Sequence, residues 1–333
     1  GSGQNNALYR NNGDGTFTKV TDSALANDGG SSRSSSWGDF DNDGDPDVLV
    51  TNDNAEPNFF YLNNGDGTFS KIDDHILVSD ALDATAGLWA DFDADGSLDL
   101  LVTHRAAEGG ENALFLNDGS GGFTKQMLPN SLGVSLSANG ASAGDIDNDG
   151  DLDLFIANGN GEPDLFFVNN GSGNNWISLQ LTGTRSNRSA IGAKISLQDD
   201  DDGLVLLQRR ELGAESGSRA FFGLASRQTV DALLVEWPSG TIEELGAFAA
   251  NQFLSIIEKI DSVSSEIIVR EPDSRRAGDS LAIDITPPQN FQTRSGQLFY
   301  RAAGESGYRS IPLTLTQNGL NVTIPAIDVT VHG

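Results

Sequence analysis

Short apolar runs separated by Gly, Asn and Asp recur along the first half of the chain. They comprise residues 48–50 and 59–62, then 100–102 and 114–116, then 154–156 and 165–168. Runs of this length between turn-forming residues favour buried strands over helices. The intervening Asn-Gly and Asp-Gly pairs supply the positive φ that tight hairpins require. We therefore predict antiparallel strands, and an all-β chain.

Two motifs accompany these runs and repeat with a period of 52 to 54 residues. An acidic loop reads DFDNDGDPD at 39–47, DFDADGSLD at 91–99 and DIDNDGDLD at 145–153. A turn reads NNGDGTF at 11–17 and 63–69, NDGSGGF at 117–123 and NNGSG at 169–173. Each unit is typical of a four-stranded meander, which cannot bury both of its faces alone. Stacking of such units around an axis predicts a β-propeller.

The number of units leaves the closure of this propeller open. Residues 34–72, 85–126 and 141–170 are predicted to form complete blades, whereas residues 1–20 supply only half of one. Propellers have about four to eight blades. Upstream blades, a neighbouring molecule or the later domain could each complete the surface. The chain has no initiator Met, and residues 329–333 read as part of a strand, so we expect a processed or incomplete chain.

The acidic loops are candidate cation sites. A hard cation such as Ca²⁺ takes about six to eight oxygen ligands, and alternating carboxylates can supply them at one centre. In the first loop four side chains, at positions 39, 41, 43 and 47, would donate, with the carbonyl of residue 45 turned inward. A glycine occupies the sixth position of every loop, where the chain turns sharply. The candidate ligand residues are Asp39, Asp41, Asp43, Asp45, Asp47, Asp91, Asp93, Asp95, Ser97, Asp99, Asp145, Asp147, Asp149, Asp151 and Asp153.

The alternative is that these loops are merely solvated turns. No lysine or arginine lies inside any loop to neutralise its clustered carboxylates, so like-charge repulsion favours cation binding. Val50, Val102 and Ile156 stand where an EF-hand loop would place a glutamate, and a strand follows each of them. We predict about three Ca²⁺ sites, one per complete blade, which stabilise the blades rather than regulate an activity.

The motifs resemble a known repeat family. The first unit reads WGDFDNDGDPDVLV at 37–50 and FYLNNGDGTF at 60–69. This pattern is similar to the FG-GAP or VCBS repeats of integrin α-subunit propellers and bacterial surface proteins, over residues 1 to about 172. The resemblance implies that four Asp side chains of each loop bind Ca²⁺ and that the protein acts outside the cytoplasm.

A second resemblance covers residues 174 to about 258. It is carried by SNRSAIGAKI at 186–195, RRELG at 209–213, FGL at 222–224 and VEWPSG at 235–240, which resemble the ASPIC/UnbV domain. The resemblance implies a small transthyretin-like β-sandwich on the propeller, with a loop that fills the propeller centre, and no known reaction. Asn187 and Arg188 are better explained as structural donors than as ligand contacts. The acidic run 199–202 is better explained as a solvated hairpin tip than as an ion site, since consecutive strand residues point to opposite faces.

The remaining sequence predicts a third domain. Apolar runs at 267–269, 281–285, 298–300, 311–315 and 322–324 are separated by turn residues, as in an immunoglobulin- or fibronectin-like β-sandwich. With about five strands, this sandwich lacks a strand or two and leaves an edge that another chain could fill. The predicted domains are the FG-GAP blades at 1–173, the ASPIC/UnbV sandwich at 174–260 and the third sandwich at 261–333.

Composition excludes several classes of partner and chemistry. The 20 basic and 48 acidic residues give a net charge of −28, which argues against a nucleic-acid partner. There is no cysteine, and no apolar run approaches the roughly 20 residues of a membrane span. The three histidines, at 75, 104 and 332, fall in unrelated segments. The GASAG sequence at 140–144 matches a nucleophile elbow, but it leads into an acidic loop and not into a helix.

Two functions stay open at this point. The favoured one is a non-catalytic, extracellular or cell-surface structural, adhesion or self-assembling protein, whose partner is a protein, a glycan or further copies of itself. The alternative is a carbohydrate-binding or polysaccharide-lyase-like protein built on the propeller, for which an exposed aromatic platform would be the mark. We expect Trp37 and Trp89 to pack between blades instead. Asn170, Asn187 and Asn321 begin N-glycosylation sequons, which matter only if the host modifies them.

Overall fold

A computed structural model describes residues 3–79, 82–105, 112–128, 137–199, 205–213 and 219–259, and four later strands at 281–285, 294–300, 309–315 and 320–324. The chain divides into two compact units, residues 1–258 and residues 259–333. The first unit contains the repeats and the region that follows them. The described chain is built almost wholly of strands, which confirms the all-β prediction.

The described residues of the repeat region form fifteen strands and two short helical turns. The strands are β1 (Gln4–Asn5), β2 (Leu8–Asn11), β3 (Phe17–Val20), β4 (Gly29–Gly30), β5 (Ser32–Gly38), β6 (Asp47–Asn52), β7 (Phe59–Asn63), β8 (Phe69–Ile72), β9 (Ala84–Ala90), β10 (Asp99–His104), β11 (Ala113–Asn117), β12 (Phe123–Met127), β13 (Ala138–Gly144), β14 (Asp153–Asn158) and β15 (Leu165–Phe167). The helical turns are α1 (Ala24–Asn27) and a 3₁₀ turn (Ile76–Val78).

These strands form successive antiparallel meanders. Strands β5 to β8 and β9 to β12 each make a four-stranded sheet in sequence order, and β13 to β15 make a three-stranded sheet. Strands β2 and β3 pair as a hairpin ahead of them, and β1 pairs with β4. The first strand of each sheet contacts the first strand of the next, β5 with β9 and β9 with β13. This is the blade arrangement of a β-propeller, as the repeats predict.

Alternation along the second strand of each blade explains how the blades adhere. In β10, Leu100 and Val102 pack toward the preceding blade, whereas Leu101 packs toward the following one. Because successive strand residues point to opposite faces, one apolar run serves two interfaces. Leu100 and Leu101 are both 0% exposed, which shows that the middle blade is covered on both faces.

The third blade differs from the complete unit that the sequence predicts. Its sheet ends at β15 within the described residues, whereas the other two blades each have a fourth strand after the turn. The physical reason lies in the turn at 169–173, which lacks the closing Phe of its counterparts and leads into a strand of another sheet. The face of this blade that points away from the second blade is open, with Phe155 39% and Phe166 48% exposed.

In the region after the repeats, the described residues form two larger sheets around one core and a two-stranded pair. Its strands are β16 (Asn175–Thr182), β17 (Lys194–Asp199), β18 (Val205–Glu211), β19 (Arg219–Ala225), β20 (Thr229–Val230), β21 (Ala232–Glu236), β22 (Ile242–Leu245), β23 (Phe248–Ala249) and β24 (Gln252–Ile257). The sheet orders are β19-β16-β24, with β16 and β24 parallel, and β18-β17-β21-β22, whereas β20 pairs with β23. Ile177 of the first sheet and Ile195 and Val235 of the second share a single buried cluster.

The second unit is described only through four strands. These are β25 (Leu281–Ile285), β26 (Arg294–Tyr300), β27 (Arg309–Leu315) and β28 (Leu320–Ile324), and they pair as β25 with β28 and β26 with β27. The apolar run predicted at 267–269 lies outside the described residues. The immunoglobulin-like sandwich therefore stays a prediction for this unit.

Candidate metal centres

Each acidic loop connects the first two strands of its blade, and all three loops have the same backbone conformation. The sixth-position glycines, Gly44, Gly96 and Gly150, have φ of +99°, +100° and +94°. Side chains rarely adopt this region, which explains the glycine in every copy. The fourth positions, Asn42, Ala94 and Asn148, are also left-handed, with φ of 58°, 56° and 61°.

The first aspartate of each loop holds the turn together. One of its oxygens accepts a hydrogen bond from the glycine N–H five residues later, at 3.1 Å for Asp39, 3.0 Å for Asp91 and 3.1 Å for Asp145. The other oxygen is directed elsewhere. In the first loop, Oδ1 of Asp39 is buried and accepts no hydrogen bond from the described residues.

Three carboxylates converge in every loop. One oxygen from each of Asp39, Asp41 and Asp43 lies within 4.8 Å of the others, and the third loop groups Asp145, Asp147 and Asp149 in the same way. In the second loop the convergent set is instead Asp91, Asp93 and Asp99. The fifth position of that loop, Asp95, belongs to no such group, although its N–H bonds to Asp91 at 3.1 Å.

The ninth aspartate joins each acidic loop to the turn of its own blade. Asp99 accepts hydrogen bonds from the N–H of Phe92 at 2.8 Å and of Asn117 at 2.9 Å. Asp47 and Asp153 accept the equivalent pairs. These residues are buried, so their carboxylates position the loop whether or not they also ligate an ion.

The seventh-position side chains belong to none of the three convergent groups. Asp45, Ser97 and Asp151 each lie against the glycine of the turn in their own blade, at positions 65, 119 and 171. Of the fifteen candidate residues, the structure brings nine together. These are the first, third and fifth positions in the first and third loops, and the first, third and ninth positions in the second loop. The seventh position is left to contribute through its backbone.

Burial makes these carboxylates unusually costly to ionise. It raises the pKa of Asp39 to about 6 and that of Asp91 to about 7, although the positive charge of Arg210 acts in the opposite direction. It also raises the pKa of Asp47 to about 7 and of Asp99 to about 8. Desolvation disfavours the charged form, and neighbouring aspartates add to this effect.

The donor set fits a hard divalent cation. All convergent ligands are carboxylate oxygens, which Ca²⁺ prefers, and the buried Oδ1 of Asp39 has no other partner among the described residues. A dication would offset the mutual repulsion of the three charges in each loop. Asp39, Asp41 and Asp43, and their counterparts in the other loops, are the residues that would hold it.

The amide that opens each turn connects neighbouring loops. Asn117 Nδ2 donates to the carbonyl of Phe40 in the preceding blade at 2.8 Å, and Asn169 donates to Phe92 at 2.7 Å. Asn63 has the same place in the first blade but donates to Pro46 of its own loop. The repeated asparagine was predicted as a turn-forming residue, whereas this link between blades was not predicted.

The region after the repeats also packs directly on the acidic loops. The N–H of Gly223 in β19 donates to Asp91 Oδ2 at 3.0 Å, and the N–H of Ala225 donates to the carbonyl of Ala94 at 2.9 Å. Trp176 lies so close to Gly150 that an added Cβ would come within 1.8 Å of its ring. These particular contacts were not predicted from the sequence, and the two hydrogen bonds join segments about 130 residues apart.

Other residues considered as candidate sites in the sequence take part in ordinary structural contacts. Asn187 exchanges hydrogen bonds with the backbone of Ile191. Asp199 forms an ion pair with Arg227, and residues 200–202 lie outside the described residues. Ser142 lies within strand β13.

The two tryptophans that precede acidic loops differ in their packing. Trp89 packs against Phe40 and Phe60 of the preceding blade, as predicted. Trp37 was predicted to pack between blades as well, but it is 49% exposed. The reason is that only the β2–β3 hairpin, and no four-stranded sheet, precedes its blade.

Comparison with known families agrees with the repeats seen in the structure. The FG-GAP-like repeat matches three times, at residues 1–50, 39–102 and 103–156, and the family described as ASPIC and UnbV matches residues 183–263.

The part of the chain that the structure describes contains no helix with the length and hydropathy of a membrane span.

The chain is similar to curated relatives over part of their length. The chain is 28% identical to human cartilage acidic protein 1 over 275 residues, which covers 76% of this chain and 40% of the relative. It is 29% identical to the Mus musculus protein over 274 residues, covering 76% and 41%. The chain thus spans about two fifths of these relatives. A solved structure of an Agrocybe aegerita lectin, which recognises non-reducing terminal N-acetylglucosamine, aligns over 72% of this chain and 74% of its own at 15% identity. Its TM-score of 0.33 is too low to support a structural or functional conclusion.

Proposed function

Because the chain combines FG-GAP-like repeats with an ASPIC and UnbV domain, we propose that it is an extracellular, calcium-binding structural protein that presents its blades to a binding partner. The proposal includes no catalysis. It rests chiefly on one observation, which is the convergence of three carboxylates in each of three equivalent loops. The carbohydrate-binding alternative stays a prediction, since no observation favours it.

The proposed metal sites would stabilise the connection between strands within a blade and the contact between neighbouring blades. Each loop bridges the first two strands of its blade, and the amides of Asn117 and Asn169 tie the second and third blades to the preceding loop. A bound Ca²⁺ would supply the positive charge that the clustered carboxylates lack. Ligand binding adds about 2.7 kcal/mol per site at a free concentration 100 times Kd. Three sites would contribute an amount comparable to the net stability of a domain, about 5 to 15 kcal/mol.

The open face of the third blade is the proposed contact surface. Phe155 occupies the repeat position of Leu49 and Leu101, which are both 0% exposed between blades. Phe166 occupies the position of Phe60, which is 1% exposed. The face is therefore built like the faces that a neighbouring blade covers, and it lies open in this chain.

A second copy of the chain offers a matching surface. Tyr9 and Phe17 of the hairpin β2–β3 are 55% and 63% exposed. Their repeat counterparts in the first blade, Tyr61 and Phe69, pack in the cluster that includes Leu8 of the hairpin, and Tyr61 is 0% exposed. The third blade thus exposes the face that normally meets a following blade, and the β2–β3 hairpin exposes the face that normally meets a preceding one. Contact between unlike faces is heterologous and joins copies head to tail. We therefore propose that the partner of the third blade is a second copy of this chain, which contacts it through the β2–β3 hairpin.

Thermal unfolding with and without calcium tests the proposed function. The full chain is freed of metal and melted in chelator, in excess Ca²⁺ and in excess Mg²⁺. We expect Ca²⁺ to raise the melting temperature of the chain sharply. The variant Asp41→Asn, which removes a carboxylate of the first loop, should lose part of that increase, whereas Asp22→Asn, outside every loop, should keep it. Equal melting temperatures in chelator and in Ca²⁺ would contradict the proposal.

A further inference from the structure

The first two acidic loops are lined by strands β18 and β19 of the ASPIC/UnbV region. An added Cβ at Gly44 would lie 3.3 Å from Leu206, and one at Gly96 would lie 2.9 Å from the amide nitrogen of Gln208. Gln208 Nε2 donates to the carbonyl of Gly223 at 2.6 Å, and the N–H of Gly223 bonds to Asp91. The two candidate metal loops and this domain therefore share one packed interface.

A cationic side chain, Arg210, stands in that interface. Its Nη1 donates to the carbonyl of Arg209 at 2.9 Å and approaches Oδ1 of Asn42 at 3.4 Å, while Nη2 donates to Gln208 Oε1 at 3.2 Å. Asn42 belongs to the first acidic loop, and its Nδ2 donates to the carbonyl of Gly96 in the second loop at 3.1 Å. The guanidinium group is thereby fixed beside both loops.

The surroundings of Arg210 hold its position without a direct ion pair. Its guanidinium carbon lies 5.7 Å from the ring centroid of Phe222, a buried residue of the sandwich core. None of the ion pairs identified among the described residues joins it to Asp39 or Asp91. Its charge therefore acts on the loops through space and leaves their carboxylates available as ligands.

The charge of Arg210 acts on the two loops and not on the third. It lowers the pKa of both Asp39 and Asp91 against the larger effect of burial, and burial in turn lowers the pKa of Arg210 itself. In the third loop, the charges that act on Asp145 and Asp151 are those of neighbouring aspartates. The third loop instead meets Trp176, an uncharged side chain.

We infer that Arg210 is a built-in counter-cation that weakens calcium binding at the first and second loops and holds the ASPIC/UnbV region on them when they are free of metal. This inference rests on the proposed calcium sites. A fixed positive charge partly neutralises the carboxylates and repels an arriving dication. The same charge relieves the repulsion among the carboxylates of a metal-free loop. Arg210 is thus a positioning and affinity-setting residue, and no ligand of the ion.

Removal of the Arg210 charge should change the calcium affinities of the first two loops but not that of the third. In Arg210→Met and Arg210→Gln, we expect Ca²⁺ to bind about tenfold more tightly at the first and second loops. The affinity of the third loop should stay unchanged, which makes it an internal control. The metal-free variants should melt below the metal-free parent, because the loops then lose their counter-charge.

Amide resonances of Gly44, Gly96 and Gly150 report the three loops individually. The full chain, labelled with ¹⁵N, is titrated with calcium in chelator-buffered solutions, so that tight binding remains measurable. Arg210→Lys keeps the charge and should retain the affinities of the parent. Arg219→Gln removes a charge from β19, where the side chain bonds to Gln180, and serves as the matched control.

The outcomes are distinct. Tighter binding confined to Gly44 and Gly96 in both uncharged variants supports the inference. Unchanged or weaker binding at these two glycines, or an equal change at Gly150, overturns it. If an uncharged variant folds only with calcium bound, its affinities are measured from the loaded state by chelator competition, and the same comparison decides. If no glycine resonance of the parent responds to Ca²⁺, the proposed calcium sites fail, and the inference that rests on them is overturned with them.

Discussion

The side-chain amide of Asn117 donates a hydrogen bond to the carbonyl oxygen of Phe40, 77 residues earlier in the chain, at 2.8 Å. Asn169 and Phe92 repeat this contact at 2.7 Å, again 77 residues apart. Each pair connects the turn of one blade to the acidic loop of the preceding blade. The repeated turn motif therefore contributes to the stacking of blades as well as to the hairpin in which it lies.

Substitution of these asparagines tests this link. Asn117→Ala should lower the free energy of unfolding by about 1 to 3 kcal/mol, because it leaves the buried carbonyl of Phe40 without its donor. Asn63→Ala is the matched control, since Asn63 makes the same contacts within its own blade but none to a preceding loop. Denaturant titration at saturating Ca²⁺ measures both. Equal losses for the two variants would show that the contact between blades contributes nothing.

The raised pKa values of the loop carboxylates predict a specific pH dependence. A carboxyl group whose folded pKa lies above its unfolded value favours the folded state while it is protonated, and that contribution is lost as the pH rises through the folded pKa. The values are about 6 for Asp39, about 7 for Asp47 and Asp91 and about 8 for Asp99. The metal-free chain should therefore lose stability as the pH rises from about 5 to 8.

Melting of the metal-free chain across this pH range measures the effect. Asp99→Asn removes the group with the highest of these pKa values and should flatten the profile. With Ca²⁺ present the dependence should weaken or reverse, because protons compete with the ion for the same oxygens. A metal-free profile that rises with pH would contradict the burial of these groups.

The contact between Trp176 and the third loop predicts a large cost for a small substitution. Gly150→Ala must strain a positive φ, at about 1 kcal/mol, and also displace the indole ring, which adds about 1 to 3 kcal/mol. Gly161→Ala introduces the same kind of strain at φ of 76°, where nothing lies within 4 Å. The difference between the two variants in chemical denaturation isolates the packing of Trp176. Equal costs would show that the ring does not rest on this loop.

The open face of the third blade predicts concentration-dependent association. Phe155→Asp combined with Phe166→Asp should abolish assembly of the chain in Ca²⁺, because a charged face cannot be buried against another sheet. Ile242→Asp changes a residue that is 64% exposed but lies in β22, outside the repeats, and it should leave assembly unchanged. Sedimentation velocity over a range of concentrations measures both. A parent chain that stays monomeric throughout would refute self-assembly through this face.

The repeats explain why so much of the first unit could be predicted. The spacing of the acidic loops and turns identified the blades, and the apolar runs between them are the strands that the structure contains. The loop positions were also predicted, since alternating carboxylates and a sixth-position glycine such as Gly96 have a direct backbone explanation. The fold of the loop is thus encoded within nine residues.

What could not be predicted depends on contacts between distant segments. Arg210 lies in a strand with no repeat counterpart, so nothing local indicates that it contacts Asn42 of the first acidic loop. The fourth strand that the third blade lacks among the described residues is indicated in the sequence only by a turn without its closing Phe. The exposure of Trp37 depends on what precedes its blade, which the residue itself does not determine.

The number and location of bound calcium ions tests the central claim most directly. A calorimetric titration of the metal-free chain, combined with anomalous diffraction from calcium-loaded crystals, gives both quantities. We predict one ion in each acidic loop, held by Asp39, Asp41 and Asp43 in the first and by the equivalent convergent groups in the other two. Loops that remain empty at saturating calcium, or ions that bind only elsewhere, would contradict the account.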